Sequence, residues 1–414
     1  MVWLIAALLL LVPYSTLLLL YKRWWKQLPL TKPPIAFTPA IQFSIVIPAR
    51  NEQKNIGACL QSIQQLNYPK HLFEVIVVDD FSVDATVSIV KEFEGVKVIE
   101  LKNVLKEKIN SYKKKAIEKG IERATASYIV TTDADCIVPN NWLLNFAWMI
   151  EQQQSIFIAA PVAMKEKNSF PIDGETDRGL HSVLLDGALV KVPSAALVGV
   201  STNQIHSSFI KIFQSLDFLS LQGITAASVG AGFHSMCNGA NLCYNKKAFY
   251  EVGGFKDIDT IASGDDMLLM HKLYKQFPDR VHYCKAADSI VLTSPVETVI
   301  EFFRQRIRWA SKADTYDDKR IFWVLLLVYL LNIFLLVVFV AAFFNSMLWI
   351  LLAGCLLFKT IMELIFLMPV AAFFQKENLL LWFPLAQPFH ILYTVVAGWL
   401  GKFGSYEWKG RKTK

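Results

Sequence analysis

Two stretches of this chain carry no charge over a length that crosses a bilayer, and they lie near its two ends: Met1 to Leu20 and Ile321 to Phe344. A helix of about 20 apolar residues spans the hydrocarbon, where every backbone polar group must find its partner inside the protein. That demand dictates helices at both ends, with whatever folds in water lying between them. Two more apolar stretches follow, Met347 to Phe374 and Leu379 to Leu400. The apolar share of 54% over 414 residues is what such helices require, and it excludes an ordinary soluble protein.

The first stretch reads as a retained anchor over residues 1–21 rather than a secretory signal, because its apolar run is long and it lacks a basic start. "YKRWWK" then places the following flank in the cytoplasm, with Trp24 and Trp25 as interfacial anchors. Residues 40–295 are read as a cytoplasmic domain and 296–315 as an amphipathic interface helix. Residues 321–400 form a C-terminal transmembrane region of two to three spans, and 401–414 a basic tail. Four full spans would leave that tail outside, whereas its Lys and Arg residues favour the inside. The reading taken is a cytoplasmic tail, with one late stretch not crossing; the last, holding Pro384, Pro388 and His390, suits a re-entrant or interfacial segment. Lys359 and Glu363, four apart, share one helical face and read either as a structural ion pair or as the lining of an acceptor channel. The net charge of +7 gathers beside the membrane stretches, which points to anionic membrane lipids and not to nucleic acid. The six cysteines have neither metal-ligand nor disulfide spacing, as suits a reduced compartment.

Between the ends the pattern alternates. Phe43 to Ile47 is an apolar, β-branched strand, after which Ile56, Leu60, Ile63 and Leu66 recur at helical spacing. "FEVIVVDDFSVDATVSIVKEF" repeats the unit, and "VKVIEL", a helix from Lys113 to Arg123 and the strand "YIVTT" extend it. The fold class is therefore α/β, a mostly parallel sheet covered by helices, with ligands expected beyond the carboxyl ends of the strands. Three polar clusters sit at those ends: "PARNE", "DDFS" and "DAD". The first strand is not followed by a glycine-rich turn, and there is no P-loop, so a dinucleotide-binding oxidoreductase is excluded. Asp133 and Asp135, one residue apart at a strand tip, can face one point, which suits Mg²⁺ or Mn²⁺ carrying phosphates. Asp79 and Asp80 could instead belong to a helix-leading turn, with Ser82 or Asp84 as its cap. Asp265 and Asp266 could likewise be an acidic cap on the helix that follows them. In "VETVIEFFRQRIRWASK", Gln305, Arg308 and Trp309 share one helical face, and Val299, Phe303, Ile307 and Ala310 form another. The same stretch also reads as a basic interfacial helix. Lys165 to Ser208 matches no motif.

Taken in order, "PARNE", "VVDDFS", "TTDADC", "ASGDD" and "QRIRW" resemble the motifs of the family 2 inverting glycosyltransferases with the GT-A fold. The likeness is to their membrane-embedded branch, which holds hyaluronan, cellulose and poly-N-acetylglucosamine synthases and ceramide glucosyltransferases. It implies a GT-A nucleotide-sugar domain between an N-terminal transmembrane helix and C-terminal transmembrane helices. It implies Pro48, Arg50 and Glu52 along the nucleoside, Glu52 near the ribose, and Asp80 accepting the uracil imide N–H. Lys113 would neutralise the nucleotide, with the register among Lys113, Lys114 and Lys115 open because Tyr112 stands where the family carries Gly. Asp135 would be the direct metal ligand, and Asp133 would meet metal or sugar. Asn238, where the cellulose-type branch has Cys, and Gly239 would lie near the acceptor's end. Asp266 would be the general base, with Asp265 starting the helix beside it and pointing elsewhere. Arg308 would reach the diphosphate, Trp309 would offer a flat surface to the acceptor sugar, and Gln305 stands with them. The implied reaction moves a hexose or N-acetylhexosamine from a UDP-sugar donor to a lipid or glycan acceptor at the cytoplasmic membrane face. Single transfer to a lipid is preferred to processive synthesis, since few C-terminal spans leave little material for a polysaccharide channel. A reading of another class is a non-catalytic membrane component that binds nucleotide sugar and recruits a partner synthase; the presence of every reactive group argues against it.

Overall fold

The computed structural model describes residues 1–105, 111–165, 180–185, 188–193, 202–233, 236–259, 261, 264–311, 318–403, 406–408 and 411–413. Most of the stretch from 165 to 208, and Lys312, lie outside the described side chains. The chain opens with α1 (Val2–Gln27), β1 (Phe43–Ala49), α2 (Ile56–Gln64), β2 (Phe73–Asp79), α3 (Thr86–Lys91), β3 (Val96–Glu100) and α4 (Leu101–Val104). It continues through α5 (Tyr112–Arg123), β4 (Tyr128–Thr131), α6 (Trp142–Gln153), β5 (Phe157–Ala159), β6 (Val162–Met164) and a hairpin of β7 (Leu180–Leu185) and β8 (Ala188–Pro193). Next come α7 (Thr202–Gly230), β9 (Leu242–Asn245), α8 (Lys246–Glu251), α9 (Met267–Gln276), β10 (Val281–Tyr283) and β11 (Val291–Thr293). The last elements are α10 (Val299–Ala310), α11 (Lys319–Ala342), α12 (Met347–Phe374), α13 (Phe383–Phe403) and the short strands β12 (Tyr406–Trp408) and β13 (Arg411–Thr413).

Seven strands form the main sheet in the order β10-β5-β9-β4-β1-β2-β3. Only β9 runs against its neighbours, β4 and β5, so the sheet is mostly parallel as the alternating pattern predicts. Strand β1 is central, and its side chains separate by the two-residue period of a strand. Phe43, Ile45, Ile47 and Ala49 enter one apolar core with Val75 and Val77 of β2. Val46 enters the other, with Ile76 and Val78. Burying each such side chain contributes about 1.5–3 kcal/mol, which is why both faces must be covered. The second core runs on without a break into Leu11, Leu18, Phe366 and Val370 of the helical bundle.

Beyond β1 the order reverses, with β2 on one side and β4 on the other, the arrangement that opens a crevice at strand ends. β4 pairs with β1 only as far as Thr131 opposite Val46, while β1 continues to Ala49. The chain therefore leaves the sheet early on one side, and Asp133 and Asp135 descend into the gap. Helix α5 lies close on β1 because Gly120 has no side chain; a Cβ there would stand 2.4 Å from Val46 Cγ1. That close seat aims the first turn of α5, with Lys113, at the crevice.

Among the described residues four helices are long and apolar enough to cross a membrane, beginning at Val2, Lys319, Met347 and Glu377. Three of them fall in the C-terminal region expected to hold two to three spans. The Lys359–Glu363 pair forms, at 2.7 Å, and both side chains are enclosed. Lys359 also donates to Gln387 Oε1 of α13 at 2.8 Å, and Glu363 accepts from Gln387 and from the Tyr14 hydroxyl of α1. An ion pair so placed is satisfied on every side, which is what a polar group needs in that setting. The water-facing domain is fastened to α1 by Lys285, whose ammonium donates to the carbonyls of Trp25 (2.7 Å) and Leu28 (3.2 Å) at the helix's open C-terminal end.

Candidate active site

All the residues to which the resemblance gives a part in the reaction line one cavity of about 870 Å³. Pro48, Arg50, Glu52 and Asp80 come from the ends of β1 and β2, and Asp133 and Asp135 from the end of β4. Lys113 comes from α5, Asn238 and Gly239 from the loop before β9, Asp265 and Asp266 from the start of α9, and Gln305, Arg308 and Trp309 from α10. Side chains up to 261 residues apart thus meet because parallel strands bring their ends to one edge.

At the ends of β1 and β2, Arg50 Nη1 donates to the Asp80 carbonyl at 2.7 Å and stands 3.9 Å from its carboxylate, which is buried. Glu52 accepts from Asn55 Nδ2 at 2.8 Å. Asp79, by contrast, turns into the β2–α3 loop and accepts from Ser82 N, so it serves the turn and does not line the cavity.

Around β4 the register of the lysines is plain. Lys113 reaches Asp133 at 2.7 Å and Asp265 at 3.4 Å. Lys114 turns inward to the carbonyls of Ile258 and Ile261, and Lys115 pairs with Glu118 on the surface. Burial works against the charge on Lys113, but Asp133 and Asp265 outweigh it and hold the ammonium protonated beyond its usual range. Asp135 is pushed the other way for a carboxylate: burial first, then the charges of Asp133 and Glu52, raise its pKa. Thr293 Oγ1, 3.2 Å away, offsets part of this. Lys165 bonds the Asp135 carbonyl at 2.8 Å and not its carboxylate. Among the described residues no cluster of three or more His, Cys, Asp or Glu side chains could cage a metal. Two carboxylates with room for diphosphate oxygens are what Mg²⁺ or Mn²⁺ uses, and among the described residues no side-chain cation bonds the Asp135 carboxylate, so the donor set fits.

At the opposite wall, Asp266 caps α9: one carboxylate oxygen accepts from Met267 N at 2.7 Å and the other from Gly239 N at 3.1 Å. Here one expectation needs correction. Asp265 does not point elsewhere; its carboxylate turns into the same cavity towards Lys113, and the residue that starts the helix is Asp266 itself. On α10, Gln305, Arg308 and Trp309 lie together on the cavity wall. The buried residues of that helix are Phe302 and Arg306, while Val299 is 45% exposed. Arg306 is enclosed because a carboxylate, Asp217 of α7, is there to meet it.

Gly239 carries a direct test of this geometry. A Cβ at that position would lie 3.2 Å from Asp265 Oδ2 and 3.5 Å from Lys113 Nζ, in a loop whose N–H holds Asp266. Gly239→Ala is expected to fold and to lose about tenfold or more in turnover, since displacements below an ångström are costly at a reacting centre. Turnover measured beside thermal melting checks this, and normal turnover would contradict it.

The residues missed from sequence are Thr293, Lys165, Asp217 and Tyr393. Thr293 ends a strand beside the crevice, a position that the strand-end rule could have flagged; the other three carry no local signal.

Comparison with known proteins agrees with this architecture. Residues 44–181 match Glycosyl transferase family 2, and residues 170–376 match Glycosyl transferase family group 2. A poly-β-1,6-N-acetyl-D-glucosamine synthase of Staphylococcus epidermidis is 25% identical over 272 residues, 65% of this chain and 53% of that protein. The glycosyltransferase AglE of Haloferax volcanii is 33% identical over 104 residues, 24% of this chain and 32% of that one. The matches thus span between about a third and a half of these relatives' own length. Among solved structures, a mannosyltransferase of Pyrobaculum calidifontis in complex with GDP-Man and Mn²⁺ shares the fold. It has a TM-score of 0.56 at 16% identity, over 95% of this chain and 98% of that one. Fold and family together define a GT-A glycosyltransferase, with four helices fit to cross a membrane among the described residues. The chain belongs to glycosyltransferase family 2.

Proposed function

We propose that the protein transfers a hexose or N-acetylhexosamine from a UDP-sugar to a lipid acceptor at the cytoplasmic membrane face, with inversion at the anomeric carbon. The observation that carries this reading is the course of the cavity. From Asp135 and Asp266 it continues between α11 and α13, along Leu325, Tyr329, Ala397 and Gly398, to the half-exposed Trp399. An apolar crevice between two membrane helices that ends at a carboxylate suits an acceptor with a buried chain and a hydroxyl at its head. Lys359 and Glu363, the other candidate lining, bond within the bundle and are not part of that wall. The polymer synthase among the relatives favours a second reading, processive synthesis of a polysaccharide.

In the proposed reaction Asp80 accepts the base's N–H, and Arg308 and Lys113 bring positive charge to the diphosphate. Trp309 supports the acceptor while Asp266 takes the proton from its hydroxyl. The acceptor oxygen forms its bond to the anomeric carbon as the bond to UDP breaks on the opposite face, and one displacement inverts the configuration. Asp133 and Asp135 would hold Mg²⁺ or Mn²⁺, which supplies charge neutralisation to the departing diphosphate; the Mn²⁺ held by the mannosyltransferase of like fold supports this.

The test uses membrane vesicles of both orientations from cells producing the protein, given a panel of radiolabelled UDP-sugars with GDP-mannose as comparison. Label from a UDP-sugar is expected in the lipid extract of inside-out vesicles only. Label in polymer would favour the second reading, use of GDP-mannose would overturn the assignment of Asp80, and labelling in sealed right-side-out vesicles would overturn the cytoplasmic face.

A further inference from the structure

Arg306 lies in the middle of "QRIRW", yet the transfer reaction gives it no part. Its side chain is 4% exposed and forms an ion pair with Asp217, equally enclosed, on α7. The other oxygen of Asp217 accepts from the Tyr393 hydroxyl of α13. Arg306 and Tyr393 themselves line the cavity, Asp217 stands behind them, and from this fixed point Arg306 reaches two more residues of the wall. Its Nη1 donates to Gln305 Oε1 at 2.8 Å, and its guanidinium lies 4.2 Å from the centre of the Trp309 ring, with the Phe302 ring 4.6 Å away. Tyr393 closes the group, its ring meeting those of Phe302 and His390 edge-on, each at 5.3 Å.

For stability alone this is a poor choice. Enclosing two charges costs more than their attraction returns unless the geometry is excellent, and apolar side chains of the same volume would hold α10 at least as well. A guanidinium does what they do not: it is planar and stacks on a ring, while its fork of donors bonds an amide and a carboxylate in fixed directions. Lysine offers the charge without the plane.

We infer that Asp217 and Tyr393 are positioning residues for the acceptor: acting through Arg306, they fix the Trp309 ring and the Gln305 amide at the acceptor end of the cavity. The inference rests on the proposed role of Trp309 as the acceptor's support. It makes the seat of α13 part of the acceptor site, because Tyr393 follows on the same helix as Gln387, which is bound to the Lys359–Glu363 pair.

The experiment measures transfer in mixed micelles of detergent and total membrane lipid, with the UDP-sugar that labels lipid in the vesicle assay. Apparent KM is taken separately for lipid and donor, beside calorimetric titration with UDP. Tyr393→Phe keeps the ring and removes the bond to Asp217; it is expected to raise the KM for lipid by about threefold or more while leaving the affinity for UDP within about twofold. Arg306→Lys, which keeps the charge and loses the stacking plane, is expected to raise it by about tenfold. Asp217→Asn alone strands a buried guanidinium, so its effect could be one of folding. The double variant Asp217→Asn with Arg306→Gln removes both charges and is expected to melt like the parent protein, yet to keep a KM for lipid raised by about tenfold. A double variant with normal melting and a normal KM for lipid would make the pair purely structural and overturn the inference. Trp309→Ala separates the two levels of the argument. If it leaves the KM for lipid unchanged, the role of Trp309 fails and the inference with it. If it raises that KM while Tyr393→Phe, Arg306→Lys and the double variant do not, the inference alone fails.

Discussion

Asp266→Asn is expected to lower sugar transfer by about a hundred- to ten-thousandfold while the protein still binds UDP and the divalent cation. The reason lies in what asparagine keeps. Asp266 is the N-cap of α9, and Asn caps a helix about as well as Asp, so the helix start should survive. The bonds from Met267 N and Gly239 N engage one acceptor site on each carboxylate oxygen. A carboxylate has further lone pairs on both oxygens, and these are free to take a hydroxyl proton. In the amide one of the two atoms becomes a donor, so the basic site is gone; with the oxygen kept on Met267 N for the cap, the bond from Gly239 N is lost as well. Asp265→Asn should cost less: it weakens the longer of the two contacts of Lys113, at 3.4 Å, and leaves the 2.7 Å contact with Asp133 in place. Turnover of the two variants, measured beside calorimetric titration with UDP, decides the matter. Near-normal turnover of Asp266→Asn, or a defect that is entirely lost UDP affinity, would remove Asp266 from the role of base.

Removal of the divalent cation is expected to abolish transfer, with Mn²⁺ or Mg²⁺ restoring it, and Asp135→Ala is expected to be inactive at any cation concentration. Lys113 already answers the charge of Asp133, whereas among the described residues no side-chain cation bonds the carboxylate of Asp135. The sign of the pH dependence follows from the raised pKa of Asp135. Protons hold this carboxylate at a higher pH than they hold an ordinary one, and a cation must displace them, so its affinity should rise with pH and its binding release protons. Calorimetry with Mn²⁺ and UDP in two buffers of different ionisation enthalpy measures that release. Full activity in excess chelator would refute the whole assignment.

Much of this site could be read from the chain because its parts announce themselves locally. Three of the four strands of the alternation end in a polar cluster, and a parallel sheet gathers such ends without any knowledge of tertiary detail. The register of the lysines could not be read this way. Lys113, Lys114 and Lys115 are alike in sequence, and only the carbonyls of Ile258 and Ile261, far along the chain, decide which of them turns inward. The buried face of α10 was hidden for the same reason. Arg306 looks like a solvated charge until Asp217, 89 residues earlier, and Tyr393, later still, are brought to it. The reversed strand β9 was also illegible, since three buried residues and a half-buried Asn245 read alike in either direction.

The bond between Tyr14 and Glu363 joins residues 349 apart, the first helix to the third of the four candidate spans. During synthesis the first helix is made and inserted while its partner has yet to be translated, a wait of roughly tens of seconds at ordinary elongation rates. Until the domain docks, length and apolarity are all that would hold the helix in a bilayer, and throughout the interval the Tyr14 hydroxyl lacks its final acceptor. Lys285 is translated well before Glu363, so the water-facing domain can dock on the carbonyls of Trp25 and Leu28 while the bundle is still open. Assembly in the order of synthesis would run outward from α1, through the domain, to α12. A chain released before that helix would keep a seated domain on an anchor whose inner face has nothing to close against.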